Sequence, residues 1–207
     1  MNTAVWLSFL GVSILLTLAP GPDIMYLLTK SISSGGRAGV SLAMGLASGP
    51  IFHTCLVMFG VSAFFQSNPV AMKGLAFFGA AYLLYLAFSA LRARPEVMTR
   101  EEEGGGAGFF SLYRQGLLMN VLNPKVLLFF LALFPQFIDE NGLLPPAIQI
   151  GVLGLTFSAQ ACLVFSAVAL CASRVRALLV TYRSFPLIMH RIEGVILALL
   201  AVGLLFL

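Results

Sequence analysis

Charge is what this 207-residue chain lacks: 10% of its residues are Asp, Glu, Lys or Arg, against 59% hydrophobic. Soluble domains carry about 25% charged residues, so this chain has too little polar surface to cover itself in water. An ordinary soluble enzyme, a nucleic-acid binder and a disordered chain are excluded together. Cysteine is scarce as well. Cys55, Cys162 and Cys171 have no CxxC spacing and lie in apolar stretches. They read as small packing residues, and neither a disulfide framework, a metal set nor a cofactor is expected. Of the two histidines, His53 and His190, the second is expected at the surface beside Arg191. No Lys or Arg precedes Lys30. The apolar stretch 4–19 therefore lacks the positive start of a cleavable signal and is expected to be a retained helix, with Trp6 at the interface.

Long apolar runs are what the chain has. They cover 4–29, 40–65, 71–91, 112–138, 147–172 and 185–207, six stretches that each reach the roughly 20 residues needed to cross a bilayer. Basic residues divide unevenly between the loops. Lys30, Arg37, Arg92, Arg94, Arg100, Arg114, Arg174, Arg176, Arg183 and Arg191 fall on one side, Lys73 alone on the other. That split predicts six spans with both termini outside the cytoplasm. Glycines within the spans (Gly45, Gly49, Gly60, Gly79, Gly151, Gly154, Gly194, Gly203) are expected where helices approach closely, Gly45 and Gly49 forming a GxxxG pair.

A linker over 96–110, with Glu101 to Glu103 followed by three glycines, separates three spans in residues 1–95 from three in 111–207. With an odd number of spans per half, an internal repeat must be inverted. Each half opens on a helix that proline interrupts, at Pro20, Gly21 and Pro22 in the first span and at Pro124 in the fourth. Proline removes an N–H and clashes one turn back. Broken backbone survives in lipid only against protein or a wet cavity, and paired broken helices are the best sequence pointer to a transporter's substrate site. A charge follows each break directly: Asp23 after Pro22, Lys125 after Pro124. At membrane depth each costs about 2.5–3.5 kcal/mol and is by default functional. The two are expected to face each other across the halves and enclose a small hydrated chamber.

These residues carry a resemblance. Ala19 through Asp23 in the first span, Asn123-Pro124-Lys125 in the fourth, the stretch 79–86 ahead of Arg92 and the apolar 194–207 resemble the LysE/RhtB family of bacterial amino-acid exporters over essentially the whole chain. The resemblance implies a bacterial inner-membrane protein, not an enzyme, that exports amino acids or close derivatives against protons through two pseudo-symmetric three-helix halves. The chemistry suits a zwitterion, whose two charges each need a partner when buried. Asp23 is expected to take the ammonium; Lys125 and free N–H groups at the helix break are expected to take the carboxylate. In the empty site Asp23 and Lys125 would neutralise one another. Protons would couple through Asp23, with His53 as a relay. Asn120, Asn123 and Ser48 are further expected ligands, and Gln115, Thr54, Thr156, Ser158 and Gln160 line the path. Gly45, Gly49 and Gly154 are expected to pack helices, and small-residue faces would permit a homodimer. Asp23 is taken as the sole acid within the spans, which favours neutral over cationic amino acids. A thiol-redox protein would need paired cysteines, and a metal-cation exporter several intramembrane acids; neither pattern is visible.

Overall fold

The computed structural model describes residues 2–61, 69–93, 108–139, 142–174 and 184–206. Most of the 96–110 linker lies outside them, as do Arg94, Arg100, Arg176 and Arg183. The described residues are helical, with no strand among them. In chain order they form α1 (Thr3–Leu18), α2 (Pro22–Ser34), α3 (Gly36–Leu56), α4 (Pro69–Leu91), α5 (Phe109–Val121), α6 (Pro124–Leu128), α7 (Pro146–Arg174) and α8 (Phe185–Phe206). A π-helical turn, Val57–Val61, extends α3; α6 runs on through a π-helical turn, Phe129–Leu133, and a 3-10 turn, Phe134–Phe137.

Helices α3, α4, α7 and α8 are long and apolar enough to cross a membrane. The pairs α1/α2 and α5/α6 qualify together but are bent by 59° and 50° at short breaks, which makes six spans if each bent pair is one. Proline chemistry explains the bends. A residue before proline is pushed out of the helical region, and Ala19, Gly21 and Asn123, which precede the three prolines, are all extended. Pro22 and Pro124 then sit in the first helical turn, where a missing N–H costs nothing.

Helix α3 packs against α5 and α7, and α4 against α8. Gly45 and Gly116 make the α3/α5 crossing. A Cβ on Gly45 would strike the Tyr113 carbonyl, and one on Gly116 the Leu42 carbonyl, so the two backbones touch directly. Gly154 lies under the Thr54 side chain and Gly49 under that of Asn120. Two of the glycines expected at contacts do not serve there: nothing lies within 4 Å of a Cβ on Gly203, and only Met58, at 3.8 Å, near one on Gly151. The cysteines also depart from expectation. Cys55 and Cys171 are exposed on the outside of the bundle and Cys162 is half-buried, so none of the three packs in the core.

Phe9 of α1 centres an aromatic cluster with Phe129, Phe134, Phe137 and Phe157, at centroid distances of 5.2–6.5 Å. The cluster ties α1 to the α6 continuation and α7, and so fixes one broken span against the other.

Candidate functional site

The two breaks meet in the protein interior. Asp23 lies in the first turn of α2, where its negative charge complements the helix dipole. Its Oδ2 accepts a hydrogen bond from Asn123 Nδ2 at 2.8 Å and a longer one from Asn120 Nδ2 at 3.5 Å. Asn123 does two jobs at once. Its Oδ1 accepts from the Lys125 backbone N–H at 3.0 Å and caps α6, which leaves the amide nitrogen aimed at Asp23. One side chain thus secures the second break and joins it to the first.

Lys125 points the other way along the first break. Its Nζ donates to the Ala19 carbonyl at 2.8 Å, a group that the unwound turn leaves without a helical partner. No ion pair within 4.0 Å joins Asp23 to Lys125, so the expected direct neutralisation does not occur. Each charge is instead satisfied by an uncharged group of the opposite break, while the two still attract across the site. Gly21 caps α2 without any side-chain bond, so no side chain covers the first N–H groups of that helix.

A second acid stands here, which corrects the expectation that Asp23 is alone. Glu193 of α8 is buried. Its Oε1 and Lys125 Nζ each lie 3.0 Å from where a Cβ on Gly21 would be, and so are no more than 6.0 Å apart. A side chain at 21 would crowd both of these groups. Glu193 also reaches His190 one turn earlier, Oε2 to Nδ1 at 3.5 Å. His190 is accordingly half-buried and partnered, contrary to its expected surface role. The signal for Glu193 was present in the sequence: a carboxylate nine residues into an apolar stretch is an intramembrane ionisable group, as Asp23 is.

The remaining expected residues divide. His53 is buried against Asn120, Nε2 to the Asn120 carbonyl at 3.4 Å, with its ring stacked on Phe130 at 5.4 Å and Nδ1 unpartnered. Phe130 belongs to the π-helical turn after α6, so the second break also positions this histidine. Ser48 bonds outside the Asp23 group, accepting from the Tyr113 hydroxyl at 3.0 Å. Gln115 donates to the Tyr26 hydroxyl, Gln160 to the Thr17 hydroxyl, and Thr156 accepts from Trp6 Nε1; these tie helices together and leave the site to Asp23, Asn120, Asn123, Lys125 and Glu193. A cavity of about 580 Å³ opens at the far end of α2, lined by Lys30, Ser34, Arg37, Ser41, Phe109 and Leu170 among others. It lies about 10 Å along the helix from Asp23, not between the two charges.

Comparison with known proteins adds the family. Residues 14–207 match the family described as LysE type translocator. The chain is 33% identical to an uncharacterised membrane protein of Vibrio cholerae, over 75% of each chain. It is 32% identical to a homoserine/homoserine lactone efflux protein of Salmonella typhimurium, over 83% of this chain and 82% of that one. A protein of the same name from Salmonella typhi is 31% identical over the same shares. No solved structure matches the chain.

Proposed function

The chain belongs to the LysE type translocator family of multi-pass membrane transporters, and from that premise we propose that it exports neutral amino acids or close derivatives in exchange for protons. One observation carries the reading: two proline-broken helices bring Asp23, Asn123 and Lys125 together in the interior, tied across the breaks by the 2.8 Å bonds of Asn123 to Asp23 and of Lys125 to Ala19. A buried ionisable group that does not close on its opposite charge is poised for a ligand that does.

The zwitterion enters between them. Its carboxylate replaces the Ala19 carbonyl on Lys125 and meets the uncapped N–H groups of α2, whose dipole adds a partial positive charge. Its ammonium goes to the acidic side of the site. The cavity lined by Lys30 and Arg37 is the cytoplasmic vestibule, and its charge draws in the carboxylate end first. The uneven spread of basic residues supports termini outside the cytoplasm. Both breaks share an extended residue, a proline in the first helical turn and a charge directly after it, which supports two inverted three-span halves over 1–95 and 111–207. With Glu193 present, a cationic side chain is no longer disfavoured by want of an acid. The neutral preference rests instead on the Salmonella relatives, which are named for homoserine and its lactone.

The test is counterflow of radiolabelled L-homoserine in proteoliposomes, competed with neutral and cationic amino acids, with Lys125→Ala as control. Exchange that neutral amino acids compete for and that K125A abolishes is the expected result. No counterflow by the wild-type chain sinks the reading.

A further inference from the structure

The site holds two acids, and they differ in what already occupies them. Asp23 Oδ2 accepts from Asn123 Nδ2 at 2.8 Å and from Asn120 Nδ2 at 3.5 Å. Those two bonds occupy the lone pairs of that oxygen and tie the carboxylate across the breaks. Glu193 is buried as well, but no amide reaches it among the described residues. Its Oε2 lies 3.5 Å from His190 Nδ1, one turn earlier on α8. Its other oxygen, Oε1, is turned to the first break.

Gly21 marks where that oxygen meets the base. Oε1 and Lys125 Nζ each lie 3.0 Å from the position that a Cβ on Gly21 would take, and Lys125 Cε follows at 3.7 Å. The two charged ends are thus within 6.0 Å of each other, yet no ion pair within 4.0 Å closes between them. Lys125 donates to the Ala19 carbonyl instead. A buried acid and a buried base held this near without contact each lack their strongest partner, at a depth where charge is costly. The uncapped N–H groups of α2 begin at the same glycine. An α-amino acid carries its carboxylate and its ammonium on one carbon. At charge-assisted bond lengths of about 2.8 Å, a head group of that size reaches both ends at once.

We propose that Glu193 is the ligand of the substrate's α-ammonium, so that Lys125 and Glu193 hold the two ends of one amino-acid head group against Gly21 while Asp23 braces the breaks. Oε1 accepts from the ammonium and Nζ donates to the carboxylate. The inference rests on the amino-acid reading above and gives the ammonium to α8 rather than to Asp23, which brings the last span into the substrate site. It also bears on the substrate class. With Asp23 held by amides and Glu193 on the α-ammonium, the site keeps no open acid among the described residues for a cationic side chain, which fits a neutral substrate.

The experiment pairs the residue with the group it is to hold. L-Homoserine carries both head-group charges, and 4-hydroxybutyrate is the same molecule without the ammonium. Binding of each to the full-length protein in detergent is measured by titration calorimetry. Glu193→Gln is expected to weaken L-homoserine by about tenfold or more, with counterflow falling alike, and to leave 4-hydroxybutyrate unchanged or tighter, since the anion no longer meets an acid. Equal weakening of both ligands means a structural support and overturns the proposal, as does unchanged L-homoserine binding. A larger selective loss in Asp23→Asn than in E193Q gives the ammonium to Asp23 and overturns it too. If E193Q does not fold, the wild type decides through labelling of its buried carboxyls by a lipid-soluble carbodiimide. L-Homoserine at a few times its Kd is expected to slow labelling of Glu193 by about threefold or more, and 4-hydroxybutyrate to leave it as it was. Glu193 labelling that L-homoserine does not change overturns the proposal. Absence of L-homoserine binding and counterflow in the wild type is a separate result that removes the exporter reading itself.

Discussion

Replacing Lys125 with methionine tests the charge arrangement most directly. The side chain is 5% exposed, donates to the Ala19 carbonyl at 2.8 Å, and attracts both Asp23 and Glu193. Methionine keeps the length and removes the charge, which leaves two buried acids without the lysine between them. Leaving buried charge uncompensated in this way costs about 3–5 kcal/mol. For a chain of this size each kcal/mol moves the melting temperature by about 2–4 °C, so K125M should melt about 6–20 °C below the wild type. Adding E193Q then removes one of the stranded charges. The double variant should recover about 1–3 kcal/mol of the loss, the coupling expected of groups in one network. Melting in detergent, followed by fluorescence-detected size exclusion for all four proteins, closes the cycle. If the losses of K125M and E193Q simply add, Lys125 does not stand between the two acids and the three-charge site is wrong.

Other expectations follow from single contacts. Asn123→Ala loses both the α6 cap and the bond to Asp23, about 2–4 kcal/mol together, and should abolish counterflow. Asn123→Asp keeps the cap oxygen but sets a second carboxylate against Asp23; its melting temperature should lie below that of N123A at neutral pH and approach it as acid protonates the pair, and a pH-independent difference would contradict the 2.8 Å contact. Gly116→Ala drives a methyl into the Leu42 backbone and should destabilise by about 1–3 kcal/mol. Gly11→Ala, where nothing lies within 4 Å, should be neutral or stabilise by up to about 1 kcal/mol through helix propensity; equal losses at the two positions would refute the close α3/α5 crossing.

Legibility followed the range of the forces involved. The breaks were readable from Pro20, Pro22 and Pro124 because proline acts on its own residue and its neighbour. Asp23 and Lys125 were readable because charge at membrane depth is costly wherever it sits. Glu193 obeys the same rule, but it stands two residues from Arg191 near the start of its stretch, where a charge can also belong to the membrane boundary. The partners of these groups were a different matter. Nothing in the order of residues says that Asn123 would turn its amide to Asp23, 100 positions away, or that Lys125 would prefer the Ala19 carbonyl to that carboxylate.

What the residues alone determined is therefore the membrane character, the number of apolar stretches and the places where helix fails, since hydrophobicity, spacing and proline geometry are local and additive along the chain. What only the tertiary structure decided is which broken turn satisfies which charge. That choice turns on how the helices rotate and how near they come. Gly45 against Gly116 sets one such approach, and beside Gly21 the ends of Glu193 and Lys125 come together. Electrostatic and hydrogen-bond energies change steeply over those few ångströms, and no pattern within a single helix encodes them.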